Sequence, residues 1–340
     1  MPDDAEGKFR THCRYLEAFA QLGGFSPWDG PAKCLEVLAA RWHALAPLGD
    51  VPTGAPDLDE VKNRLRHAWA AELLLGLGGV LTSEDELIRL ANTWGTVQTY
   101  YVAYHTTQAL RVSLGHPRPT SHPITQNLFT TYWAARSLDL APWTLGVTHD
   151  GYRNAPGGKK INEAVHPWES CGPHNCADLA AKAISTTRRF RVDEKRAAKR
   201  QDKKKERRKA WLADEKERQA AGKPPRTEPE FPLPQLNAAE KTHASKTAGT
   251  FTMLHYLYRL RVNTNYKESD VFTDGPTDEL QSSEVHSYLS YLCAATLLVH
   301  ELRIADLVGA RTVHAWADDW ISKQGTSAST IGLSARRHLL

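Results

Sequence analysis

Apolar residues recur at three- and four-residue spacing along most of the chain, and sustained apolar–polar alternation is absent. That pattern predicts helices and excludes a major sheet. Phe9 to Leu22 reads as a short amphipathic helix closed by Gly23-Gly24. Pro31 to Leu45 follows, with Leu35, Leu38, Ala39 and Trp42 on one face. Asp57 caps a helix that runs to about Leu77 and ends at Gly78-Gly79. Ser83-Glu-Asp-Glu86 has the form of a capping box. The helix it opens continues to Leu114 and stops at Gly115, about 30 residues and long enough to span a domain. Pro123 to Leu138 is the next, with Phe129, Trp133 and Ala134 turned inward.

From Asp139 to Cys176 the periodicity breaks under Pro142, Gly146, Gly151, Pro156-Gly157-Gly158, Pro167 and Gly172-Pro173. Such a stretch predicts a long ordered loop or a small irregular lobe, of a kind usually tied to function or a ligand. A helix resumes at Ala177 and passes into a charged run. Lys223-Pro-Pro-Arg226 and Pro229 to Pro234 form a Pro-rich linker. Two long helices, 238–268 and 277–309, then complete the core, with a short tail carrying Trp316 and Trp320. The expected organisation is all-α. Segment 1–80 holds N-terminal helices, 81–138 and 241–340 are the halves of a bundle, and 139–240 is an insertion.

Composition sharpens this picture at three points. The 340 residues carry a net charge of +4, yet 188–226 alone holds 17 Lys+Arg against 7 Asp+Glu. The basic character therefore belongs to one segment of an otherwise acidic chain. No apolar run approaches the ~20 residues of a membrane span, and the N-terminus lacks a basic-then-apolar signal pattern. A soluble, cytoplasmic protein is expected. Five cysteines are an odd number in a long chain, which argues against a disulfide framework. Cys13, Cys34 and Cys293 have apolar neighbours at helical spacing and read as buried thiols.

Two segments mix a buried stripe with groups too polar for a simple core. In Tyr100-Tyr101-Val-Ala-Tyr104-His105-Thr-Thr-Gln108, Tyr101, Tyr104, His105 and Gln108 share a helical face. In Leu257-Tyr258-Arg259-Leu260-Arg261-Val-Asn263-Thr-Asn265-Tyr266, Leu257, Leu260 and Arg261 share one. With Ser121-His122 between them, these segments resemble a variant branch of the HEPN family of all-helical domains, over roughly 83–138 and 245–309, about a third of the chain. Many HEPN domains are RNases of toxin–antitoxin and phage-defence systems. The resemblance implies a helical bundle with extra N-terminal helices, an irregular loop and a long charged helix added. It also implies metal-independent RNA cleavage at a dimer interface, where Arg and His position the scissile phosphate and assist attack by the ribose 2′-OH. No cofactor is needed for that chemistry.

The familiar family signature is Arg followed four to six residues later by His. Here Arg261 is followed by Tyr266, and a phenol with a pKa of about 10 does not exchange protons near neutral pH. The expected site is accordingly Arg261 with Asn265, Tyr266 and, as the titrating group, His105. The alternative is a catalytically silent scaffold or adaptor, in which these residues form a buried polar network.

Two further groups carry candidate chemistry. Cys171-Gly-Pro-His174 has zinc-knuckle spacing, and Cys176 and His166 are the residues at hand to complete a tetrahedron. Structural zinc there would close the irregular loop. In the basic run, Arg196, Arg200, Lys203, Lys204, Lys205, Arg207, Arg208 and Lys209 lie on a sequence of helix formers with charge on every face. Such a helix projects into solvent or lies along a polyanion, so RNA or an acidic protein is the expected partner. Nucleophile elbows, Gly-rich phosphate loops and His-Glu-x-x-His helices are absent.

Overall fold

A computed structural model describes residues 4–45, 48–80, 85–266, 268–324 and 332–340. Eleven α-helices are present among them: α1 (Ala5–Leu22), α2 (Pro31–His43), α3 (Leu58–Val80), α4 (Asp85–Ser113), α5 (His122–Phe129), α6 (Cys176–Ala220), α7 (Ala238–Thr247), α8 (Met253–Tyr266), α9 (Glu279–Val308), α10 (Ala310–Gln324) and α11 (Leu333–Arg336). The only sheet among the described residues pairs β1 (Gly146–Val147) with β2 (Tyr152–Arg153). The all-α expectation is borne out.

The bundle is organised around α9. Its residues from Tyr291 through Ile304 are buried on every side, and Leu292, Cys293, Leu297, Leu298 and Val299 are fully enclosed. Helices α1, α2, α3, α4 and α10 pack against it and enclose it. Helices α3, α4 and α9 approach closely because the residues where they touch are small. A Cβ at Gly95 would lie 3.0 Å from Leu75 Cδ1 and 3.1 Å from Leu289 Cδ1. A Cβ at Gly78 would lie 3.1 Å from both Ala91 Cβ and His286 Cε1. Gly78 therefore does not cap α3, which runs on to Val80; the glycine serves helix packing instead. The capping box at Ser83 lies outside the described residues.

Two buried arginines inside this core are paired with carboxylates. Arg336 of α11 is fully buried and holds Glu301 through Nε at 3.0 Å and Nη2 at 2.9 Å. It also binds Glu72 of α3, and Trp69 Nε1 donates to Glu301 at 2.6 Å. A second buried ion pair lies close by along α9: Arg303 donates to Asp50 at 2.6 Å and to the Tyr132 carbonyl at 2.6 Å.

The irregular region 139–176 is mostly buried where it meets the bundle, with Leu140, Trp143 and Leu145 fully enclosed. It interrupts the expected helix 238–268. Gly249 turns the chain at φ +81, and Phe251 exchanges two backbone hydrogen bonds with Val147, both 2.9 Å, so α7 and α8 are separate. The expected short tail is the 15-residue helix α10, whose Trp320 packs on Trp69 at 6.0 Å between centroids. One hydrophobic core draws on all four of the segments expected from the sequence.

One face stays apolar and open. On α3, Leu74 and Leu77 are 56% and 52% exposed; on α4, Leu87, Leu90 and Trp94 are 41%, 48% and 61% exposed. Their three- and four-residue spacing puts each set in a stripe along its helix.

Candidate functional site

Helix α8 is held from two sides. One face meets α6 and α1, with Tyr256 Oη 3.0 Å from His12 Nδ1, and the other meets α4 and α5. The second contact assembles the two segments that stand out in the sequence. Tyr100 on α4 is fully buried, and its hydroxyl lies 2.6 Å from Nδ1 of His122. His122 is placed there by the turn into α5: Gly115 reverses the chain at φ +79, and Gln108 Nε2 binds the Pro119 carbonyl at 3.2 Å. Ser121 then takes an extended conformation before the helix starts.

Around this pair the rings of Tyr104 and Tyr258 approach His122 at 4.7 and 5.6 Å between centroids. The guanidinium of Arg261 sits 5.3 Å from Tyr100, 5.1 Å from Tyr101 and 5.7 Å from Tyr258. Among the described residues no carboxylate pairs with it, and its Nε has no hydrogen-bond partner. Electron-rich ring faces thus stabilise the cation while leaving its donors uncommitted.

Electrostatics divide the two histidines. Burial, then the neighbouring His67 and Arg64, push His105 down to about 3. It stays neutral at physiological pH. Burial and the Arg261 charge push His122 below the usual imidazole range. Burial raises Tyr100 well above the ordinary phenol, so its hydroxyl keeps its proton, and Oη or Nδ1 is the donor according to the imidazole tautomer. In the tautomer whose Nδ1–H donates to Oη, Nε2 keeps its lone pair and can accept a proton.

Of the four residues expected to form the site, the structure brings Arg261 and His105 to one cluster, both against Tyr101. Asn265 is half-buried at the end of α8, and Tyr266 is 73% exposed, without a ring contact to the cluster among the described residues. His122 joins the same cluster, sharing Tyr100 with Arg261. In the sequence it stands only as part of a turn; the Ser-His-Pro order at a helix start is the available signal.

The basic run occupies the outer half of α6. Its inner half is anchored in the bundle through buried Leu179, Ile184 and Val192, and Arg188 donates to the carbonyls of Ser245 at 2.6 Å and Gly249 at 3.1 Å. The Pro-rich linker then returns along the helix. Arg208 pairs with Glu228 at 2.6 Å, Arg226 with Glu215 at 2.6 Å, and Lys203 with Glu240 at 2.5 Å, while Trp211 meets Phe231 edge-on. One side of the helix is therefore covered by its own chain. Arg196 pairs with Asp193 at 3.2 Å, and Arg200 donates to the Arg196 carbonyl at 3.4 Å. Lys205, Arg207 and Lys209 are exposed and Lys204 half-exposed, with no carboxylate partner among the described residues.

The four zinc candidates are not gathered. Cys171 lies near Cys176 as well as Glu17, Arg14 and Cys13 of α1, and Cys176 starts α6 and lines a cleft of about 320 Å³ with His174, Lys159 and Lys160. His166 instead accepts the Trp168 backbone N–H on Nδ1 at 3.3 Å and stands edge-on to its ring. Burial raises both thiols, Cys171 the further, and all five cysteines are free. No three His, Cys, Asp or Glu side chains among the described residues are placed to share a metal ion.

No family model, curated protein or solved structure matches the chain. No helix among the described residues is long and apolar enough to cross a membrane.

Proposed function

We propose that the chain is a HEPN-like RNA-binding protein that cuts RNA without a metal, as part of a defence or toxin–antitoxin system. One observation carries this reading: a half-buried imidazole, His122, and an arginine with uncommitted donors, Arg261, face the same buried tyrosine. Arg261 binds a phosphate oxygen through its planar fork. His122, in the tautomer whose Nδ1–H donates to Tyr100, accepts the proton of the ribose 2′-OH on Nε2 as the 2′-oxygen attacks phosphorus. A 2′,3′-cyclic phosphate forms, and the departing 5′-oxygen takes a proton from solvent. His105, neutral in its buried position, supports Tyr101 rather than exchanging protons. The exposed cations of α6 hold the rest of the strand, and the open apolar face of α3 and α4 supports assembly as a homodimer or with a partner protein.

The test is incubation with total RNA in EDTA, comparing the unaltered protein with Arg261→Ala, His122→Asn and His105→Asn. Cleavage that survives EDTA, is lost in the first two variants and persists in the third is expected. RNA binding without cleavage between pH 6 and 9 would favour the silent adaptor. Cleavage that depends on His105 and not on His122 would refute the assignment of the base.

A further inference from the structure

We propose that His67 is a stacking platform for a base of single-stranded RNA, set at the exposed end of a stack that leads to Arg261. The inference rests on the RNA-binding reading above. His67 of α3 stacks on His105 at 5.1 Å between centroids with 24° between planes. His105 stacks on Tyr101 at 5.7 Å and 22°, and Arg261 lies 5.1 Å from the Tyr101 ring. Four flat groups thus run in series from α3, across α4, to the arginine of α8. Core packing does not require the first of them, because His67 is exposed.

Electrostatics suit both the stack and its ligand. Burial and Arg64 lower His67, as burial lowers His105, so the rings meet as neutral aromatics instead of as repelling cations. Around the platform lie Arg64, Arg66 and Arg118. Glu60 orients two of them, binding Arg64 at 3.0 Å and Arg118 at 3.3 Å, and Arg66 lies 5.7 Å from the Trp320 ring. The side chain of Arg118 stays 47% exposed. An aromatic face flanked by arginines suits an unpaired nucleotide: the base stacks and its phosphates meet the guanidinium groups. A duplex keeps its bases inside and offers no face to a ring on a protein surface.

Anisotropy titrations with a labelled single strand of about 12 nucleotides distinguish the outcomes, set beside an abasic strand and a duplex of equal length. The unaltered protein is compared with His67→Ala and His67→Phe, each checked for native helicity. His67→Ala should bind the single strand roughly 5- to 150-fold more weakly, the range expected for losing one base–aromatic stack. His67→Phe should stay close to the unaltered protein, and the abasic strand and duplex should bind all three alike. An unchanged affinity for His67→Ala, an equal loss on the abasic strand, or a loss in His67→Phe matching that in His67→Ala would each overturn the platform. Absence of RNA binding by the unaltered protein would overturn the RNA-binding reading with it, whereas binding that is indifferent to His67 removes the platform alone.

Discussion

Replacing Arg336 with Met should be among the most destabilising single changes available in this protein. The methionine fills similar volume but leaves Glu72 and Glu301 facing each other without a cation. Arg336 is 1% exposed and Glu301 0%. Water therefore cannot take over the lost interactions. Breaking a buried ion pair by removing one partner costs about 3–5 kcal/mol, a large part of a typical stability of about 5–15 kcal/mol. With a urea slope of about 3 kcal/mol/M, the midpoint should fall by on the order of 1 to 2 M. Restoring neutrality in Arg336→Met/Glu72→Gln/Glu301→Gln should recover most of that loss. Acidity adds a second readout. Burial, against the pull of Arg336, raises Glu72 to about 7 from 4.5. A carboxyl that binds its proton more tightly when folded contributes stability that is full below 4.5 and is lost as pH rises through about 7. His12, lowered to about 4, and His105, His255 and His300, lowered to about 3, act in the opposite sense as pH falls below 6.5. The Glu72 contribution is therefore read as a difference: the stability of Glu72→Gln relative to the unaltered protein should improve between pH 5 and 8. A midpoint shift under about 0.3 M for Arg336→Met, or a difference that is flat in pH, would refute the reasoning.

Two other outcomes follow from surface features. Reversing Lys204, Lys205, Arg207 and Lys209 to Glu should weaken RNA binding for all sequences alike and flatten its salt dependence by about 0.7 in the log–log slope for each phosphate no longer neutralised; unchanged affinity and slope would remove α6 as a nucleic-acid surface. Leu74→Glu/Trp94→Glu should abolish any dimer seen by sedimentation velocity at micromolar concentration, and a dimer that survives would place the interface elsewhere.

The readable part of this fold is the part written in local periodicity. The inward set Leu35, Leu38, Ala39 and Trp42 is buried as its spacing demands, and α9 follows from an apolar run too long for a strand. The break between α7 and α8 is less accessible. Gly249 marks it, but the extended conformation at Phe251 is fixed by Val147, a partner outside any local window. The same limit applies to the site. Arg261 and His105 stand in conspicuous helical segments, whereas His122 gains its role only when α5 folds back on Tyr100. His67 sits in an ordinary amphipathic pattern on α3 and becomes notable only through the ring it meets on α4.

The triad closed by Arg336 also sets an order of events during synthesis. Arg336 follows Glu72 by 264 residues and Glu301 by 35. At translation rates of roughly 5–20 residues per second, the first carboxylate waits on the order of 10 to 50 s for its cation. During that interval α3 can dock on the growing bundle only by protonating Glu72 or by keeping the seam beside it hydrated. The seam beside Glu72 therefore closes only once α11 has been made.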